Sequence, residues 1–362
     1  MRGPRTPLCD RLGLAWPIFG FSHSIDVTVA LANAGCFPVY GAAWDLPDVI
    51  AAKMRAIRDR VGDRPFGINL MLPASVGEET DRKAVEARLP AEHRAFVERL
   101  RAKYRVPAAT KPTFFSSQVR SQKLFAEQIE AALASEATAL ASAIGTSAET
   151  VARAKAAGKL TISLIGSPKH ARSVKAAGVD IIVAQGHDAA GHTGPIGTFS
   201  LVPQVVDIAG DTPVLAAGGV GCGRQIAAAL ALGAQGVWLG TAWLTAREHD
   251  LEAPLLRKVL AASAEDTIIS RSHSGKTCRM LKTAWTDEWE AAGAPKPLPM
   301  PNQQVLTGEL LAAINEHQIE PLMYTFCGQG VAYYDRLRSV PEIVERLVDE
   351  TRQALAGLSS RS

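Results

Sequence analysis

The sequence predicts an α/β protein built on a (β/α)8 (TIM) barrel, with an insertion after the third strand and a helical C-terminal extension. Three observations carry this. Eight short apolar runs recur between residues 15 and 241. Most are near-continuous rather than alternating, the mark of strands buried on both faces, as in an all-parallel sheet. Helical patterns separate them at a strand-to-strand spacing of roughly 20–25 residues, and that alternation kept up eight times is the rhythm of a barrel. A doubly wound open sheet is the rival, but eight repeats without a break favour closure. A chain of 362 residues accommodates one such barrel with extra elements.

The runs, in order, are AWPIFGF (15–21), CFPVY (36–40), PFGINLML (65–72), TALASAIG (138–145), LTISLIG (160–166), DIIVAQG (180–186), TPVLAAGG (212–219) and QGVWLGT (235–241). Helices are expected at DVTVALANAG, SAETVARAKAAG, SPKHARSVKAAG and GRQIAAALALGA, each ending in Gly or Gly-Ala, which suits a helix C-cap. Residues 73–115 fall outside the repeat and contain PAEHRAFVERLRAKY, an amphipathic helix pattern. The Pro-broken stretch EAAGAPKPLPMPNQQ (290–304) reads as a linker. It divides a barrel domain, 1–290, from a helical extension, 291–362, with helices near 305–317 and 339–357 that pack on the barrel.

Composition narrows the function. Hydrophobic content of 47% and charged content of 21% are those of a globular chain with a sizeable core. A net charge of +3, with no Lys/Arg run, gives no argument for nucleic acid or a membrane surface. The five cysteines (Cys9, Cys36, Cys222, Cys278, Cys327) are far apart and form no CxxC pair, so neither a disulfide framework nor a zinc knuckle is expected. The N-terminal MRGPRTPLCDRLG has no apolar h-region, and no run reaches ~18 apolar residues. A cytoplasmic protein is the expectation.

In a barrel of this type the site lies at the C-terminal ends of the strands. That gathers FGFSHS, NLML, AQGHDAAGHTG, AAGGVGCG and LGTAW at one mouth. AAGGVGCGRQIAAAL (216–230) is a strand, glycines and a helix, which is an arrangement for an anion. A Rossmann fingerprint fails because Arg224 stands where its last glycine belongs. A phosphate-bearing cofactor or substrate is the stronger reading. In AQGHDAAGHTG (184–194), His187 and His192 lie five apart on a loop with only Asp188 beside them, too few ligands for a metal. His192, between Gly191 and Gly194, is well placed for proton transfer, or else is bonded to its own loop. Asp188 orients a neighbour or caps the turn. Asn69 is an amide in an apolar strand, and either holds a ligand's polar edge or ties strands together.

Taken together, FGINL with Asn69, AQGHDAAGHTG, VLAAGGV and GAQGVWLGTAW resemble the FMN-dependent nitronate monooxygenase family, once called 2-nitropropane dioxygenases. The resemblance covers roughly residues 8–290, and GQG at 328–330 is similar to a late family motif. It implies FMN at the mouth, its phosphate held by backbone around Gly218, Gly219, Gly240 and Thr241. Asn69 and Gln185 would contact the flavin, with backbone near Ala190, Trp238 and Leu239. His192 takes the position of the family's catalytic histidine. Two positions depart from the family pattern. Ala190 stands where a glycine is usual, and Ser22 and His23 replace Pro and Met on the substrate side of the first strand's loop.

The reaction expected first is oxidation of alkyl nitronates, or nitroalkanes, by O2 to a carbonyl compound and nitrite, with His192 as general base. The second is an FMN-dependent NAD(P)H oxidoreductase reducing a quinone or an enoyl thioester. A third reading starts from GGVGCGRQIAAALALGA, which is similar to the phosphate loop of inosine-monophosphate dehydrogenases. Residues 187–200 lack the nucleophilic cysteine those enzymes need, which counts against it. A flavin-binding protein without catalysis is the last option. The extra helices offer a surface for a homodimer.

Overall fold

Each of the eight apolar runs holds one barrel strand. The computed structural model describes residues 4–73 and 76–360; residues 1–3 of the N-terminal segment, Ala74 and Ser75 of the insertion, and residues 361–362 lie outside them. β1 (Ile18–Ser22), β2 (Phe37–Gly41), β3 (Gly67–Met71), β4 (Ala139–Ala143), β5 (Leu160–Ile165) and β6 (Ile181–Gln185) run parallel. After the two-residue β7 (Gly191–His192) come β8 (Val214–Ala217) and β9 (Gly236–Leu239). β6 pairs with β8, β8 with β9, and β9 with β1 through Trp238 opposite Phe19, so the barrel closes.

Alternation along each strand sorts its side chains. Phe19, Phe37, Val39, Ala141, Ile162, Val183, Leu215 and Trp238 fill the interior, and the helix Pro7–Leu12 adds Leu8 and Cys9 to the same cluster. Ile18, Ile182, Val214 and Val237 face the helix layer. Asn69 lies beside the interior Ala141, and Gln185 is two residues beyond the interior Val183. The count therefore puts both amides on the inner face near the strands' C-terminal ends.

The four helices expected from their glycine endings are Ile25–Asn33, Ala148–Ala156, Pro168–Ala176 and Gly223–Ala231. Ser24, Ser147 and Ser167 cap the first three through their hydroxyls. The stops are alike. At the end of the second helix Gly158 turns to φ +71°, and the Lys159 amide donates back to the Ala154 carbonyl at 2.9 Å. The same bond closes the other three, from Cys36 to Leu31, Val179 to Val174 and Ala234 to Ala229.

The division expected at residue 290 does not separate two cores. The helix Val340–Ser359 packs between Gly223–Ala231 and Ile25–Asn33, and its Val340, Ile343, Val344, Leu347 and Val348 belong to the barrel's outer core. It supplies the barrel's last covering helix. A second core joins the insertion to residues from beyond the barrel strands: Phe96 and Leu100 pack with Trp285, Trp289, Leu310 and Ile314. The docking of Val340–Ser359 on the barrel is the packing expected of the extension, whereas apolar periodicity, which shows that a helix has a buried face but not what covers it, did not announce the pairing of the insertion with Leu310 and Ile314. The hairpin of β10 (Thr267–Ser270) and β11 (Cys278–Leu281) was also missed, because four-residue strands carry too little pattern. No helix among the described residues is long and apolar enough to cross a membrane.

Candidate active site

The loop after β6 is held from several sides. Gln185 donates its amide to the carbonyls of Ala190 (3.3 Å) and His192 (3.0 Å). Asp188 accepts the Thr198 amide at 2.8 Å and so caps the helix Thr198–Ala209. His187 Nδ1 lies 3.0 Å from the Gly194 carbonyl, which ties that ring to its own loop. Gly191, at φ +70°, turns the chain into β7, whose His192 pairs with Cys278 of β11. The hairpin thus fixes the histidine's backbone, a constraint that no motif in the loop itself announced.

His192 Nε2 shares a 2.8 Å hydrogen bond with Ser274 Oγ, on the loop joining β10 to β11. Burial, followed by the positive charges of Arg120 and Lys276, pushes His192 down to about 3. The imidazole is therefore neutral at ordinary pH. His273, next to Ser274, is buried, held well below its ordinary value by burial, and bonded through Nδ1 to the Tyr324 hydroxyl at 2.8 Å. With three neighbouring rings it forms a circuit: Trp44–Phe115 at 5.5 Å, Phe115–His273 at 5.4 Å, His273–Phe326 at 4.9 Å and Phe326–Trp44 at 6.0 Å.

Gly218 and Gly219 end β8 at φ +103° and +69°. A Cβ on Gly218 would stand 2.7 Å from Thr198 Oγ1 and 3.0 Å from the Ala189 amide nitrogen, so only glycine fits. The first amides of the following helix are already engaged. Those of Gly221 and Cys222 donate to Gln225 Oε1, and that of Gly223 to Glu350 at 2.7 Å. Gly218–Gly219 and Gly240–Thr241 directly follow the neighbouring strands β8 and β9. Here the C-terminal segment enters. The Gly328 amide donates to Thr241 Oγ1 at 2.9 Å, and the Gln329 amide to the Asp188 carbonyl at 3.0 Å.

The sequence profile of the nitronate monooxygenase family matches residues 17–350. The chain belongs to the nitronate monooxygenase family. It is a flavin-dependent oxidoreductase. A Mycobacterium tuberculosis protein assigned as a monooxygenase is 41% identical over 99% of this chain and 100% of its own length. From the same organism, (3aS,4S,5R,7aS)-5-hydroxy-7a-methyl-1-oxo-octahydro-1H-indene-4-carboxyl-CoA dehydrogenase is 30% identical over 79% of this chain and 69% of its own. Among solved structures, nitroalkane oxidase from Streptomyces ansochromogenes superposes with a TM-score of 0.80 at 27% identity, covering 97% of this chain and 99% of that one. The family match runs past residue 290, in keeping with the docking of residues 328–330 on the mouth.

The mouth of this nitronate monooxygenase family member suits a flat, heteroatom-rich cofactor with an anionic tail. Asn69 is buried and its Nδ2 has no hydrogen-bond partner, leaving a donor aimed at something else. Gly218 and Gly219 are required by close packing against Thr198, Ala189 and Asp188, which draws the loop after β6 onto the end of β8. Trp238 points inward, whereas Leu239 packs outward and offers only its backbone. Ser22 does not line the mouth. It shares a face with Ile18 and Gly20, towards Leu31 and Trp243, and its hydroxyl accepts the Ser24 amide at 3.1 Å. Strand alternation gives the interior place to Phe21 instead. His23 sits at the rim, stacked on Trp44 at 4.3 Å, with Nδ1 2.7 Å from the Gly41 carbonyl. Arg120, His273, Ser274 and the ring circuit were not found from sequence. The polar cluster SRSHSGKT (270–277) was the available signal, but it lies outside the strand-end loops.

Burial lowers the proton affinity of His23, His192, His249 and His273. The unfolded chain binds these protons below about pH 6.5 while the folded chain does not. Stability is thus complete above that pH and is lost as pH falls from 6.5. By pH 5 the cost is about 2 kcal/mol for each imidazole that stays neutral. The expected result is a lower Tm at pH 5 than at pH 7.5 in thermal melts, with a shallower drop in His273→Phe. A Tm that holds or rises on acidification would contradict it.

Proposed function

We propose that the protein binds FMN at the barrel mouth and oxidises alkyl nitronates with O2 to a carbonyl compound and nitrite. The observation that supports this best is the placement of His192, whose imidazole Ser274 holds at 2.8 Å at the barrel mouth. A neutral imidazole takes the proton from the carbon next to a nitro group, so nitroalkanes also enter the reaction. Ser274 keeps the ring in one orientation, and β7–β11 pairing keeps its backbone in place. Asn69 and the backbone of Ala190, Trp238 and Leu239 would hold the flavin ring, with Gln185 keeping the adjacent loop in place. Gly218, Gly219, Gly240 and Thr241 would hold its phosphate. FMN, when bound, supplies the electron acceptor and the reactivity towards O2.

A second reading follows from the carboxyl-CoA dehydrogenase relative, which favours redox chemistry on a CoA thioester; run in the reductive direction, on an enoyl thioester or a quinone, that chemistry would take NAD(P)H as electron donor. One experiment separates the two. The purified protein is mixed anaerobically with propyl-2-nitronate in one cuvette and NADH or NADPH in another, and the oxidised flavin band is followed. Bleaching by nitronate and not by reduced nicotinamide is expected. Fast bleaching by NADH or NADPH alone would replace the first reading with the second.

A further inference from the structure

Arg120 is 2% exposed, and Nε, Nη1 and Nη2 all lack a hydrogen-bond partner. A guanidinium carries five in-plane donors, and leaving them unpaired in a buried site is destabilising. Its guanidinium lies over the rings of Phe114 and Phe115, at 5.7 and 5.6 Å from the centroids. Contacts with ring faces leave the N–H edge unused. Burial pushes the group down to about 9, with no carboxylate offsetting the shift, so it is charged at neutral pH. Its charge acts on both His192 and His273. Phe115 joins it to the ring circuit with Trp44, His273 and Phe326, and Trp44, Phe115 and Phe326 are only half-buried.

We propose that Arg120 binds the substrate's anionic end and that the substrate is a small planar oxyanion on a short apolar chain, which rests against the Trp44–Phe115–Phe326 rings. This rests on the reading of the mouth as the reaction site. A planar fork matches two oxygens on one atom, as in a nitronate or carboxylate, which a point charge such as lysine does not. An unpaired buried charge is a cost to folding that a bound anion removes, and local conflicts of this kind mark functional sites.

The test uses the protein as isolated, with its flavin, and two probes of one shape: sodium butyrate and neutral butyramide. Calorimetry is expected to show butyrate binding at least about tenfold tighter than butyramide. Arg120→Gln is expected to abolish the difference, and Arg120→Lys to restore part of it, with flavin content unchanged in both. Without ligand, Arg120→Met is expected to raise Tm, because it removes the unpaired charge. If Arg120→Gln does not fold, Arg120→Lys carries the test through its weaker discrimination. Unchanged butyrate affinity in the variants, or a wild type that binds both probes equally, would overturn the assignment. The nitronate reading is scored separately. Arg120-dependent butyrate binding in a protein whose flavin nitronate does not bleach leaves the anion site standing and removes that reading. Bleaching with Arg120-independent butyrate binding does the reverse.

Discussion

Replacing His192 by asparagine is expected to lower kcat/KM for neutral nitroalkanes by about 10²–10³-fold, while nitronates lose about threefold or less and flavin content stays unchanged. The difference arises because only the neutral substrate needs its carbon deprotonated. Asparagine retains a polar group opposite Ser274 but has no basic nitrogen. His192 is held down to about 3 by burial and by Arg120 and Lys276, so its basic form is present across neutral pH. The same cations favour the anion that proton loss creates, and that anion in turn offsets their effect on the imidazolium. The wild-type rate with nitroethane should therefore show no loss attributable to His192 between pH 8 and pH 5. Steady-state kinetics with nitroethane and ethylnitronate, paired with flavin absorbance, check both points. Equal nitroethane turnover in His192→Asn would remove the histidine as base.

The barrel was legible because its strands are largely buried on both faces and several connecting helices have a cap and a stop next to them in sequence. Ser147 and Gly158 bracket one helix without help from the rest of the chain. His192, Asn69 and the strand-end glycines were legible because they sit on strands or the turns that follow them. What stayed hidden depends on long-range pairing. Ser274 meets His192 across 82 residues, and Gly328 meets Thr241 across 87. Arg120 was hidden for another reason. A lone arginine in FFSSQVRSQ reads as a solvated charge, and only the folded chain shows that its donors are buried and unpaired. Ser22 was placed on the substrate side by its match to a family position, whereas strand alternation sets it on the face towards Leu31 and Trp243.

Gly328→Ala is expected to weaken flavin retention by about tenfold or more, with a Tm drop of only a few degrees. A Cβ there would stand 2.9 Å from the Asp188 carbonyl oxygen and 3.0 Å from the Ala190 amide nitrogen, and both are backbone. Neither can rotate aside, so one of the two segments must shift. If residues 328–330 retreat, the bonds from the Gly328 amide to Thr241 and from the Gln329 amide to Asp188 are lost, and Gly330 moves off Gly219. If the loop after β6 yields, the displacement runs into Ala190 and His192, which Gln185 holds as one unit. Both routes disturb the residues assigned to the flavin and leave the barrel core intact, which is why cofactor retention falls further than stability. Gly357→Ala is the control, because a Cβ there meets nothing within 4 Å and the position is helical. Flavin stoichiometry after dialysis, read from the ratio of visible to ultraviolet absorbance, distinguishes the two variants. Full flavin content in Gly328→Ala would mean that the C-terminal segment lies over the mouth without supporting the cofactor, and that the strand-end glycines hold the phosphate unaided.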